Sequence, residues 1–183
     1  MQRTNATPQI FIMGRIVKAK NFNAEEIFVK YWILYGSNFK LLEGTEKGET
    51  FQGLAPQGET EIFFDHPINF NLSCRSIKGW PKILIEVWAT DEHNQNHLVG
   101  YGTTFIPFKK GSQNVNVQCW RPTEKISGSI YESLLGNTPE FVDRNAIVAS
   151  EEKFGMFSIS TGTIEIELEV LMKDFHLHGI KVN

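Results

Sequence analysis

Gly79-Trp80-Pro81-Lys82-Ile83-Leu84-Ile85-Glu86-Val87-Trp88, then Ala89 to His97, then Leu98-Val99-Gly100-Tyr101-Gly102, is the stretch that decides the fold. It reads as an apolar β-run, a polar loop, and a second strand entered through an apolar pair and a glycine. Working outward, Ile10-Phe11-Ile12-Met13 through Val17 reads as a first strand and Ile27 to Tyr35 as a second, closed by Gly36-Ser37-Asn38. Lys40-Leu41-Leu42 follows briefly, and Glu43 to Gly58, rich in Gly, Glu and Thr, reads as a loop. Strand character resumes at Glu61-Ile62-Phe63-Phe64 and again at Ile68-Asn69-Phe70-Asn71-Leu72. Gln113 to Cys119 alternates apolar and polar, and Thr163 to Val170 does so most clearly, with apolar even positions and mostly Glu at odd ones. Such a strand packs one face on a core and turns the other to water or a partner.

Between Thr123 and Ser160 the periodicity changes. Ile130-Tyr131-Glu132-Ser133-Leu134-Leu135 ends at Gly136-Asn137 as a short helix would, and Pro139 opens an irregular stretch to Lys153. Short strands, close turn signals and little helix predict an all-β fold. The expected architecture is an antiparallel β-sandwich with a short helical and irregular insertion, about 123–160, before the last strand. We expect a flexible N-terminus over 1–8, a single domain over 9–175 and a tail over 176–183.

The 183 residues are 41% hydrophobic, enough for one domain with its own core. A formal charge of −3 and scattered basic residues, with Lys109-Lys110 the densest pair, argue against nucleic acid as a partner. Cys74 and Cys119 are too few for a disulfide framework and sit in strand-like runs, where a reduced, buried thiol is expected. Met1 to Pro8 is polar, without the apolar core of a signal peptide, and no apolar run approaches the roughly 20 residues of a membrane span. These features predict a reduced, soluble, intracellular domain.

The opening stretch resembles the third calcium loop of C2-type sandwich domains, where spaced aspartates precede a Leu/Ile-Gly pair. On that frame the first aspartate position falls on Ala89, the second on Asp91 and the last on His97. The first-loop motif becomes Glu26-Ile27-Phe28-Val29-Lys30. Calcium takes six to eight oxygen ligands, roughly, and Glu26 and Asp91 are too few to supply them. Asp91, His93 and His97 lack the helical spacing that would turn two imidazoles onto one metal. His176 and His178 lie where a chain end frays. No metal and no cofactor are therefore expected. Gly-x-Ser-x-Gly, phosphate-binding and His-Glu-x-x-His motifs do not occur, and nothing joins Ser73-Cys74 to His66, so the chain reads as no enzyme. Two binding readings remain. Phe22 with Lys109 and Lys110 could meet an anionic membrane surface without calcium. The Glu165, Glu167 and Glu169 face could steer a protein partner. Trp88 reads as a core aromatic.

A longer series of segments carries a more specific resemblance. In order they are Gly14-Arg15-Ile16, Phe28-Val29-Lys30, Lys40-Leu41-Leu42-Glu43-Gly44, His66-Pro67-Ile68, Gly79-Trp80-Pro81, Val87-Trp88, Gly100-Tyr101-Gly102 and Trp120-Arg121-Pro122. Gly162-Thr163 and Lys173-Asp174-Phe175 through Gly179 complete it. Together they resemble the B9-domain family of ciliary transition-zone proteins. That resemblance implies a non-enzymatic scaffold of the tectonic-like (Meckel syndrome protein) complex, required for cilium assembly and the membrane diffusion barrier. It implies binding to other B9-domain proteins, namely B9-domain-containing protein 1 and the Meckel syndrome type 1 protein, and to tectonic-complex members. It places the chain in cytoplasm and cytoskeleton, at the basal body and transition zone of the cilium.

Overall fold

A computed structural model describes residues 7–123 and 157–180. Ten strands carry the fold, in chain order β1 (Gln9–Lys20), β2 (Glu26–Leu34), β3 (Phe39–Gly44), β4 (Lys47–Glu49), β5 (Gly53–Leu54), β6 (Glu61–Cys74), β7 (Lys82–Thr90), β8 (Asn96–Phe105), β9 (Gly111–Thr123) and β10 (Phe157–Lys173). They pair antiparallel in the order β3-β6-β1-β10-β9-β8-β7-β2-β4, with β5 beside β2. β8 and β9 meet through two residue pairs, Tyr101–Trp120 and Gly102–Cys119. At this seam the sheet curls into two leaves, β3-β6-β1-β10-β9 and β8-β7-β2 with β4 and β5, giving the expected all-β, C2-like sandwich.

The period-two pattern sets the core. Ile164, Ile166, Leu168 and Val170 of β10 are at most 1% exposed, and they join Ile10, Ile12 and Ile16 of β1 and Ile68, Phe70 and Leu72 of β6. From the second leaf Ile27, Val29, Ile33, Ile83, Ile85 and Val87 complete the same cluster. Each fully buried side chain of this size contributes about 1.5–3 kcal/mol of transfer free energy, so the closed interior drives the pairing of the leaves. Cys74 and Cys119 lie in this core as free thiols, and burial pushes the Cys119 thiol up to about 12.

Three expectations need correction. Lys47–Glu49 and Gly53–Leu54, read as loop, are short edge strands on β2. They lack alternation because Thr50 substitutes for a ladder: its N–H donates to Val29 O at 2.9 Å and its Oγ1 accepts from Val29 N–H at 3.0 Å. The two runs around His66 form one strand, β6, through Pro67. Pro67 pairs with Arg15 on one side, and β3 reaches only from Phe70 to Cys74 on the other, so its missing N–H leaves no ladder bond unmade there. Finally, Phe157 to Ser160 belongs to β10, paired with Thr123 to Trp120, so the connection is shorter than 123–160. The expected helix over Ile130–Leu135 lies outside the described residues.

The C-terminal segment does not fray at His176. Phe175–His178 forms a 3-10 turn between left-handed Asp174 and Gly179. Phe175 is 2% exposed and Ile180 packs on the core. Phe175 meets Phe108, which meets Trp80 edge-on at 4.7 Å, so an aromatic stack closes this end of the sandwich.

Candidate functional site at the loop end

The opposite end gathers the β1–β2, β5–β6 and β7–β8 loops. Asp91, the second aspartate position of a C2-type loop, is committed to its own turn. Its Oδ1 accepts the N–H groups of His93 and Gln95, both at 2.8 Å, while Asn94 takes a left-handed φ of 59°. These bonds, that of Gln95 foremost, hold the carboxyl below its ordinary range. Ala89 pairs with Ile27, and at 1% exposure it faces the core. Glu26 lies one residue beyond that pair, beside Leu54.

His97 opens onto a cleft of about 480 Å³ with Asn21, Phe22, Asn23, Arg121 and Thr161. Among the described residues that line it there is no carboxylate. Amides, hydroxyls, an imidazole and a guanidinium do not make the oxygen cage that a hard dication needs. The described residues of the cleft therefore do not fit calcium.

The candidate membrane residues are not brought together. Phe22 is 8% exposed, with its ring against Gly162, where an added Cβ would meet Phe22 at 2.6 Å. Lys109 and Lys110 precede β9 at the far end, beside Phe108 and the aromatic stack. On the outer face of the first leaf, Glu165 pairs with Lys20 at 2.6 Å and Glu167 with Arg15 at 2.9 Å. Arg15 also reaches Asp65 at 3.1 Å, and Lys18 reaches Glu61 at 2.8 Å. Two of the three acidic residues are thus matched by bases on β1, while Glu169 stands between Met13 and Ser112 in register.

Trp88 does not enter the main core. It is half-buried on the outer face of the second leaf, against a smaller cluster of Leu84, Leu98 and Tyr101. Its Nε1–H donates to Glu86 Oε2 at 3.2 Å, and Lys30 Nζ lies 4.8 Å from its ring centroid. The run Ile83-Leu84-Ile85 held this signal, since apolar residues at successive positions mark a strand covered on both faces.

A family model described as "Ciliary basal body-associated, B9 protein" (B9-C2) matches residues 10–171. The chain belongs to the B9 family. This B9 chain is 27% identical to B9 domain-containing protein 2 of Bos taurus over 173 residues, covering 94% of this chain and 98% of that protein. It is 23% identical to B9 domain-containing protein 1 of Xenopus laevis, covering 94% of this chain and 89% of that protein. Among solved structures it is similar to a C2 domain of plant Extended Synaptotagmin 1, at 11% identity and a TM-score of 0.45, covering 91% and 96% of the two chains.

Several segments that mark the B9 chain have steric reasons. Gly79, at φ 82°, lies so close to Gly36 that a Cβ would stand 2.7 Å from the Gly36 Cα, and Gly36 N–H donates to Gly79 O at 2.9 Å. A Cβ on Gly14 would stand 2.1 Å from Glu167 O. These positions join neighbouring backbones, and their reasons are structural rather than catalytic.

Proposed function

We propose that this B9 chain is a non-enzymatic scaffold component of the tectonic-like (Meckel syndrome protein) complex at the ciliary transition zone. In this reading it supports cilium assembly and the membrane diffusion barrier by binding B9-domain-containing protein 1 and the Meckel syndrome type 1 protein. The family match over residues 10–171 carries the proposal. The loop end supports it: a C2-like frame whose second aspartate is spent on its own turn and whose cleft offers no carboxylate among the described residues is suited to holding surfaces, not ions. A peripheral lipid module is the weaker reading, because Phe22 is buried and Lys109 and Lys110 lie at the other end.

Co-purification of the tagged chain with B9-domain-containing protein 1 and the Meckel syndrome type 1 protein from ciliated cells tests the proposal, together with its position relative to the basal body. Joint recovery and a band distal to the basal body are expected. Diffuse signal, no recovered partner and normal cilia after gene loss would sink it. Flotation of the isolated chain with anionic vesicles, lost with added salt, would instead favour the lipid reading.

A further inference from the structure

The outer face of the first leaf changes character towards the Phe175 end. Beyond the paired charges, three rows cross β3, β6, β1 and β10. The row nearest the end holds Lys40, Ser73, Gln9 and Lys173. The middle row holds Leu42 and Glu43 at the β3 bulge, then Asn71, Phe11 and Leu171. The inner row holds Asn69, Met13 and Glu169. Leu42, Met13 and Leu171 are 47%, 47% and 45% exposed, a clustering of large apolar side chains on one sheet face. Among them Asn71 is only 9% exposed, and its Oδ1 has no donor. Lys40, Glu43, Glu169 and Lys173 form no ion pair among the described residues.

We propose that this face is the contact between two copies of this chain, related by a two-fold axis that runs across the strands along the middle row. Such a rotation preserves position across the strands and reverses position along them. Lys173 then comes over the partner's Glu169, and Lys40 comes beside the partner's Glu43. Leu42, Phe11 and Leu171 lie on their own counterparts, as in an isologous interface. One rotation sets the basic end against acidic positions and lays the apolar row on itself, which is why a second copy fits this face better than an unrelated partner. Four strands by three rows cover on the order of 400 Å² per copy from strand and residue spacings. That is about half of what a stable complex buries on each side, so the dimer is weak and concentration-dependent. The proposal is independent of the ciliary reading.

Analytical ultracentrifugation of the full chain, from roughly 5 to 500 µM, tests it. The mass should rise towards that of a dimer. Lys173→Glu or Glu169→Lys alone should weaken association roughly tenfold, since each turns two attractions into repulsions. The double variant K173E/E169K should restore it, because the two residues sit roughly 13 Å apart along one strand and can exchange roles only between copies. Leu171→Asp should abolish it, because it sets like charges face to face in the apolar row, with circular dichroism confirming a folded chain. A monomer at every concentration, or a dimer indifferent to these variants, overturns the proposal. So does a charge swap that fails to rescue, or a monomer in which Leu171→Asp instead blocks capture of another B9 protein.

Discussion

Asp91 shows how a single residue can keep its identity and change its task. Because its carboxylate accepts two backbone N–H groups, Asp91→Ala should speed hydrogen exchange at His93 and Gln95 while leaving the core amides protected. Its folded-state pKa is lowered, so the loop's order is present above the ordinary aspartate range and is lost as pH falls through the lowered value. Millimolar calcium should leave the melting temperature of the parent chain unmoved, and a calcium-dependent rise would contradict the reading of the cleft. His66 acts in the same direction at a higher pH. Its ring sits edge-on to Tyr31 at 5.7 Å, and burial lowers its pKa, so the unfolded chain binds the proton more readily. Stability should therefore be full above about pH 6.5 and decline as pH falls below it, and His66→Phe should flatten that slope in thermal melts. That Ala89 and His97 carry no carboxylate is legible from residue identity alone. The inward turn of Asp91 was not, since it depends on the left-handed Asn94.

Among elements, strands with a strict period were legible and those held by side-chain substitution were not. β10 announces itself through Ile164, Ile166 and Leu168, whereas β4 and β5 exist because a buried Thr50 hydroxyl stands in for a ladder partner. The acidic stripe of β10 was visible too, but its pairing to Lys20 and Arg15 needed the register with β1, a long-range fact that local sequence does not carry. That register makes a specific demand at Gly14, where β10 leaves no room for a side chain. Gly14→Ala would push a methyl against Glu167 O and Leu168, and should cost about 1–3 kcal/mol by urea denaturation. An unchanged midpoint would mean that β1 and β10 are less tightly joined than their register implies.

For the molecule as a whole, composition and short strands sufficed for an antiparallel sandwich. Strand order, the two-pair seam between β8 and β9, and the assignment of Phe22 and Lys109 to opposite ends came only with the structure. The C-terminal turn is part of that whole. Phe175→Ala should remove about 3–5 kcal/mol and lower the melting temperature sharply, because its ring plugs the end against Phe108 and the main core. An intact melting temperature after this change would return the turn to the status of a tail.

β10 runs for 17 residues between the loop end and the aromatic end. At about 3.3 Å per residue, an unbroken strand of that length reaches roughly 55 Å, somewhat less where it bulges and twists. β9 flanks it along Phe157–Val170 and β1 along Thr163–Lys173, and the ends of this body differ chemically: a notch lined by amides, His97 and Arg121 at one and a lysine-flanked aromatic plug at the other. Two groups bound one at each end would be kept apart by the length of the strand between them.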